Sequence, residues 1–155
     1  MLTQTLYDQD FQQWLEKTIN QLEQKDFNNL DIDHLIEELK DLGKSDKNAL
    51  ASNLIILLAH LLKLKIQADA PNTMKTSWYR SVIEHRERLL IQLENTPSLK
   101  SYLPTILDTS YPKRRKLALK ESKLAAFGIP IPDENDYPLT CPFSLEQILN
   151  EDYYG

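Results

Sequence analysis

Three histidines, one cysteine and a few ionised side chains are the groups in this chain whose type and spacing could do chemistry. His60 lies in the run Leu-Ala-Ser-Asn-Leu-Ile-Ile-Leu-Leu-Ala-His-Leu-Leu-Lys-Leu-Lys-Ile, residues 50–66. Leucine neighbours bury a histidine at least in part, and burial favours the neutral ring, which then needs a hydrogen-bond partner. Glu37, Glu38 and Arg86 are the natural partners, and with Lys63 and Trp78 they make a candidate polar cluster around His60. A core histidine that holds helix register is the plainer expectation. A ligand or catalytic role is the alternative.

Asp31, His34 and then Glu37 or Glu38 fall on one helical face, a carboxylate–imidazole set of the kind divalent metals use. Asp31 is also placed to cap a helix, and di-metal bundle sites want Glu-x-x-His on two helices with further glutamates from two others. Neither Glu-x-x-His nor His-Glu-x-x-His occurs. Asp31, His34 and His60 therefore stand as candidate ligands, and no resident metal or cofactor is expected. A histidine-triad transferase of the helical-bundle type meets a distance problem. In a continuous helix His34 and His60 are on the order of 39 Å apart at ~1.5 Å per residue.

Lys113, Lys116, Lys120 and Lys123 line one side of a helix, with Arg114 and Arg115 beside them. Such a patch is a candidate phosphate contact for nucleic acid. Leu117 and Leu124 border it, so the lysine stems can instead cover apolar surface. Residues 124–155 contain no Lys or Arg, and this acidic tail could fold back on the basic helix. Cys141, in Thr-Cys-Pro-Phe, has no base nearby in sequence, and a nucleophile would need a spatially adjacent histidine. A packing role is expected for it.

These groups must be positioned by helices. Tyr7 to Glu23 reads as the first helix, with Phe11, Trp14, Leu15, Thr18 and Leu22 on one face. Residues 31–67 read as one long central helix, because apolar phasing continues through Ile36, Leu39, Gly43, Leu50 and Leu54. Gly43 inside it would let a neighbouring helix approach closely. A helix ending at Gly43 and restarting with Ser45 as N-cap is the competing reading. A third helix covers 78–94, capped by Thr76 or Ser77. The segment 98–123 is helical, with a restart near Pro104 and a kink or break near Tyr111, since an interior proline costs ~3 kcal/mol or more. Residues 127–155 form an irregular Pro-rich arm with a short helix at 145–149, capped by Ser144 with Gln147 in a capping box.

The whole chain, 1–155, is expected to be a single all-α domain, since no strand-like alternation occurs. Three glycines are too few for a phosphate loop or a Gly-x-Ser-x-Gly elbow. One cysteine excludes an internal disulfide and fits a reducing compartment. The N-terminus lacks signal-peptide character, so a cytoplasmic location is expected. Asn53, His60, Lys63 and Lys65 interrupt the apolar run, which argues against a membrane span of ~20 residues. The net charge of −5 disfavours indiscriminate nucleic-acid binding.

An ordered set of residues resembles a known family. It comprises Asp10 with Trp14, Leu30-Asp31, Leu35, Glu37-Glu38, Gly43, Leu57 with His60-Leu61-Leu62-Lys63, Ser77-Trp78, Arg86 and Pro97-Ser98-Leu99. It closes with Cys141-Pro142-Phe143-Ser144-Leu145-Glu146-Gln147-Ile148-Leu149. Together these resemble the domain of unknown function 29 family, small helical proteins common in cyanobacteria. The resemblance implies a helical fold and a bacterial source, and it implies no activity. His60, Lys63, Trp78 and Arg86 match its pattern, whereas His34 and His85 do not, and Pro104 and Pro112 depart from its plainer helix.

The expected architecture is a helical bundle around one long central helix, with a Pro-rich C-terminal arm. The expected function is a non-enzymatic interaction module that associates with itself, as a homodimer, or with another protein. A metal-dependent bundle enzyme using His60 with acidic residues is the first alternative. A nucleic-acid-associated regulator working through 113–123 is the second.

Overall fold

The computed structural model describes residues 3–124 and 132–155, without the side chains of Ser122 and Leu124. Every regular element among them is helical, and no strand is present there. The chain divides into two compact units, Met1–Ser45 and Asp46–Gly155, each described by itself.

The first unit opens with α1 (Leu6–Gln9) and α2 (Phe11–Glu23). The single helix expected from Tyr7 onward is thus interrupted at Asp10. Its backbone is extended, and its carboxylate accepts from the Gln13 amide at 3.0 Å to start α2 afresh. Short acidic side chains compete with the backbone in this way, which is why they favour caps over helix interiors. Thr5 caps α1 in a box with Asp8. Lys25 takes a left-handed φ of 57° beyond α2, and a 3₁₀ turn over Phe27–Asn29 leads to Asp31. Asp31 accepts from the His34 amide at 3.4 Å, the expected cap of the long helix α3 (Ile32–Ile66).

Helix α3 is continuous through Gly43, so the restart at Ser45 does not occur. The surface at Gly43 is open: a Cβ built on it would meet nothing within 4 Å. Residues 39–45 are all exposed. Three helical turns past Leu39 the same helix becomes the core of the second unit. Leu50, Leu54, Leu57, Leu58, Leu61 and Leu62 are fully buried there. Leucines on more than one stripe mark a helix touched from several sides.

In the second unit α4 (Asn72–Asn95) contributes Trp78, Val82, Arg86 and Leu89 to that core. It begins six residues before the expected 78. The Thr76 and Ser77 hydroxyls donate to the carbonyls of Asn72 and Met74 instead of capping, because the chain is already helical there. A 3₁₀ stretch, Pro97–Tyr102, runs into α5 (Leu103–Leu124), which contains Pro112 without the expected break. Pro104 sits in the first turn, where a missing N–H costs nothing. Around Pro112 packing outweighs the lost hydrogen bond: Tyr111 is 2 % exposed and donates to the Pro138 carbonyl at 2.6 Å. The arm adds a 3₁₀ turn (Glu134–Asp136) and α6 (Leu145–Leu149), whose cap is the expected Ser144–Gln147 box. Tyr137, Phe143 and Ile148 insert into the core. Part of the arm, residues 127–131, lies outside the described residues.

By length and hydropathy α3 could cross a membrane. Leu50, Leu54, Leu57, Leu58, Leu61, Leu62 and Leu64 of this helix belong to the core cluster of the second unit.

Candidate functional site

In the first unit the expected metal candidates are tied to aromatic residues. Asp31 accepts at Oδ2 from the Trp14 indole at 3.1 Å and from His34 Nδ1 at 2.6 Å. The Tyr7 ring stacks on His34 with centroids 4.0 Å apart, and its hydroxyl donates to Glu38 at 2.5 Å. That hydrogen bond pushes the Tyr7 pKa up to about 12. Partial burial opposes the charge on Asp31, but hydrogen bonds from His34 and Trp14 outweigh it and hold the carboxyl below its ordinary range. The Asp31 hydrogen bond raises His34, with Glu37 and Asp8 adding to it. No group of three metal-ligating side chains is found among the described residues.

The clamp has a pH window. Protonated His34 stabilises the fold fully below the ordinary histidine value, and that contribution is lost as pH rises through its raised folded-state pKa. The Asp31 contribution is present above the ordinary carboxylate value and is lost as pH falls through its lowered pKa. The clamp is therefore strongest between about pH 4 and 6.5. NMR titration of the His34 ring should give a value above the ordinary one, returning towards it in Asp31→Asn. A His34 that titrates normally in the unmodified chain would contradict this geometry.

In the second unit His60 lies against α4. Its Nδ1 is 2.9 Å from the Ile56 carbonyl and 3.3 Å from Ser81 Oγ. His85 Nδ1 is likewise 2.8 Å from the Ser81 carbonyl and 3.3 Å from the same Oγ. Carbonyls only accept, so both Nδ1 atoms carry protons and neither can take one from Ser81. The arrangement does not activate that hydroxyl as a nucleophile. Burial, with Lys63 and His85 nearby, lowers the His60 pKa and so favours the neutral ring. Lys63 donates to Glu121 of α5 at 2.7 Å, and Trp78 is core.

Arg86 is 2 % exposed. Its Nε donates to the Ile148 carbonyl at 2.7 Å, at the end of α6, and the Tyr154 ring centre is 5.6 Å from its guanidinium carbon. Nη1 and Nη2 are buried without a hydrogen-bond partner. Of the six residues that the sequence groups, His60 itself included, four have hydrogen-bond partners of their own within their unit. Glu38 pairs with Tyr7 in the first unit, where Glu37 also lies; Lys63 pairs with α5 and Arg86 with the arm.

On α5, Lys113, Lys116, Lys120 and Lys123 are exposed, while Arg114 is half-buried. Arg115 donates to the carbonyls of Tyr137 and Glu134 at 3.0 and 2.8 Å, and its guanidinium lies 3.8 Å from the Glu134 carboxylate. The acidic arm does fold back on the basic helix at this residue. Cys141 is half-buried, and burial raises its thiol pKa, which disfavours the nucleophilic thiolate.

The family model for the domain of unknown function DUF29 matches residues 6–154. The chain belongs to that family. No curated protein and no solved structure matches it. Membership in DUF29 brings no activity with it, so function has to be argued from the residues themselves. Several of those were missed in the sequence. Ser81 had a signal, its one-turn spacing before His85. Tyr7 had none, because its partner Glu38 lies 31 residues away.

Proposed function

We propose that this DUF29 member is a helical interaction module that pairs with a second copy of itself through the first half of α3. One observation carries this: Ile32, Ile36, Leu39 and Leu42 are 48, 44, 59 and 65 % exposed. At 3.6 residues per turn they share, with Leu35 and Gly43, a stripe about 120° wide. An apolar stripe of that width on a helix is ordinarily covered.

Charge favours a second copy lying antiparallel. Along one flank of the stripe Asp33 and Glu37 precede Lys40 and Lys44 at spacings of four, three and four. Antiparallel helices set like flanks against each other in reverse order, so Asp33 meets Lys44 and Glu37 meets Lys40 in both directions. A parallel pair would set this flank, two acids and two lysines, against the acidic Asp31, Glu38 and Asp41, so Asp33 and Glu37 would face acids and the antiparallel match of every charge would be lost. In the chain itself that opposite flank is engaged, with Tyr7 on Glu38 and Trp14 on Asp31. The open space beside Gly43 gives a second backbone room for close approach.

Sedimentation equilibrium of the full chain tests the proposal. A monomer–dimer equilibrium is expected at micromolar concentration. A well-folded monomer at the highest soluble concentration would remove it. A cytoplasmic setting away from membranes belongs to the same proposal, since the long apolar part of α3 is engaged in the core. The exposed lysines of α5 keep nucleic-acid contact as a second reading, with a salt-sensitive gel shift as its requirement. For the metal-enzyme reading, built on His60 with acidic residues, no group of three metal-ligating side chains is found among the described residues.

A further inference from the structure

A guanidinium cannot shed its charge, so burying one without an acceptor is costly, and proteins ordinarily place a carboxylate, carbonyls or an ordered ligand against it. Arg86 has one such acceptor, the Ile148 carbonyl on Nε, and none on its two terminal nitrogens. Beside it is a cavity of about 210 Å³ lined by Ile83, Arg86, Glu87, Glu151 and Tyr154. We propose that this cavity is a binding site for a small zwitterion, a carboxylate or phosphate that engages Arg86 and an ammonium group that meets Glu87 and Glu151.

Each wall specifies part of that ligand. Paired N–H donors on a planar guanidinium match the two oxygens of a carboxylate or phosphate. Glu87 and Glu151 are both exposed, and they repel a simple anion while attracting one that carries its own positive charge. Ile83, 52 % exposed, and the Tyr154 ring supply apolar surface for a short carbon body. Nη1 and Nη2 lie below the cavity surface, with the Tyr154 ring against the guanidinium, so binding includes displacement of part of that cover. The site lies wholly in the second unit and is independent of self-association through α3.

Calorimetric titration of the full chain tests this with four probes: γ-aminobutyrate and phosphoethanolamine, against butyrate and inorganic phosphate. Each zwitterion is expected to bind roughly tenfold more tightly than its simple anion, and the better pair identifies carboxylate or phosphate as the group held. Arg86→Lys should weaken binding at least about tenfold, because an ammonium cannot replace the paired donors. Glu87→Gln with Glu151→Gln should leave the simple anions bound and erase the preference for zwitterions. The proposal is overturned if no probe binds at about 10 mM, or if binding survives in a folded Arg86→Lys. Should Arg86→Lys not fold, the glutamine pair decides, and an unchanged preference there overturns it.

Discussion

Leu39→Asp combined with Leu42→Asp is expected to turn a dimer of this protein into a monomer without unfolding it. Both side chains are more than half exposed in the single chain, so replacing them removes little from its own core. In an antiparallel pair each substitution occurs twice and puts carboxylates into the apolar seam. Central interface residues cost 2 kcal/mol or more when lost, so the dissociation constant should rise by roughly a thousandfold or more. The flank charges supply the control for orientation. Lys40→Glu with Lys44→Glu should weaken the pair about tenfold by facing acids with acids. Adding Asp33→Lys and Glu37→Lys to the same chain should restore it, since every cross-pair is then reversed in sign. Sedimentation reads all three variants. Failure of the charge-reversed chain to recover would reject the antiparallel geometry, while an unaltered mass in the aspartate variant would reject the stripe as the interface.

Leu57→Ala, eighteen residues along the same helix, should have the opposite profile. Leu57 is fully buried in the second unit's core, among leucines from α3 and residues of α4 and α5. Truncating a buried leucine loses its transfer free energy and leaves a cavity, together 2–5 kcal/mol. That is a large part of the ~5–15 kcal/mol that holds a domain folded. Urea unfolding of the variant should show a clearly lower midpoint at unchanged slope. Leu39→Ala under dilute conditions should stay within about 0.5 kcal/mol of the parent, as surface changes do. Equal losses at the two positions would mean that the division of α3 into a bare and a packed half is wrong.

Much of this protein could be read from its residues. Helical spacing of Leu54, Leu57, Leu61 and Leu64 determined the central helix, and unbroken phasing across Gly43 determined its continuity, because periodicity is a local property of the chain. The ordered motifs from Asp10 to Leu149 determined the family for the same reason. Local competition was harder to weigh. Asp10, inside the helix read from Tyr7 to Glu23, is a cap between two helices, and Pro112 looked like a kink or break although the helix runs through it. What only the tertiary structure decided is which polar groups meet. Glu38, His60 and Arg86 shared plausible chemistry, and each has its own partner within its unit. Glu38 found Tyr7, His60 found Ser81, and Arg86 found Ile148, 62 residues away. Such pairings depend on how helices pack across one another, and sequence spacing carries no record of that. The same holds for exposure: Leu42 and Leu50 are both leucines of α3, and only packing makes one bare and the other core.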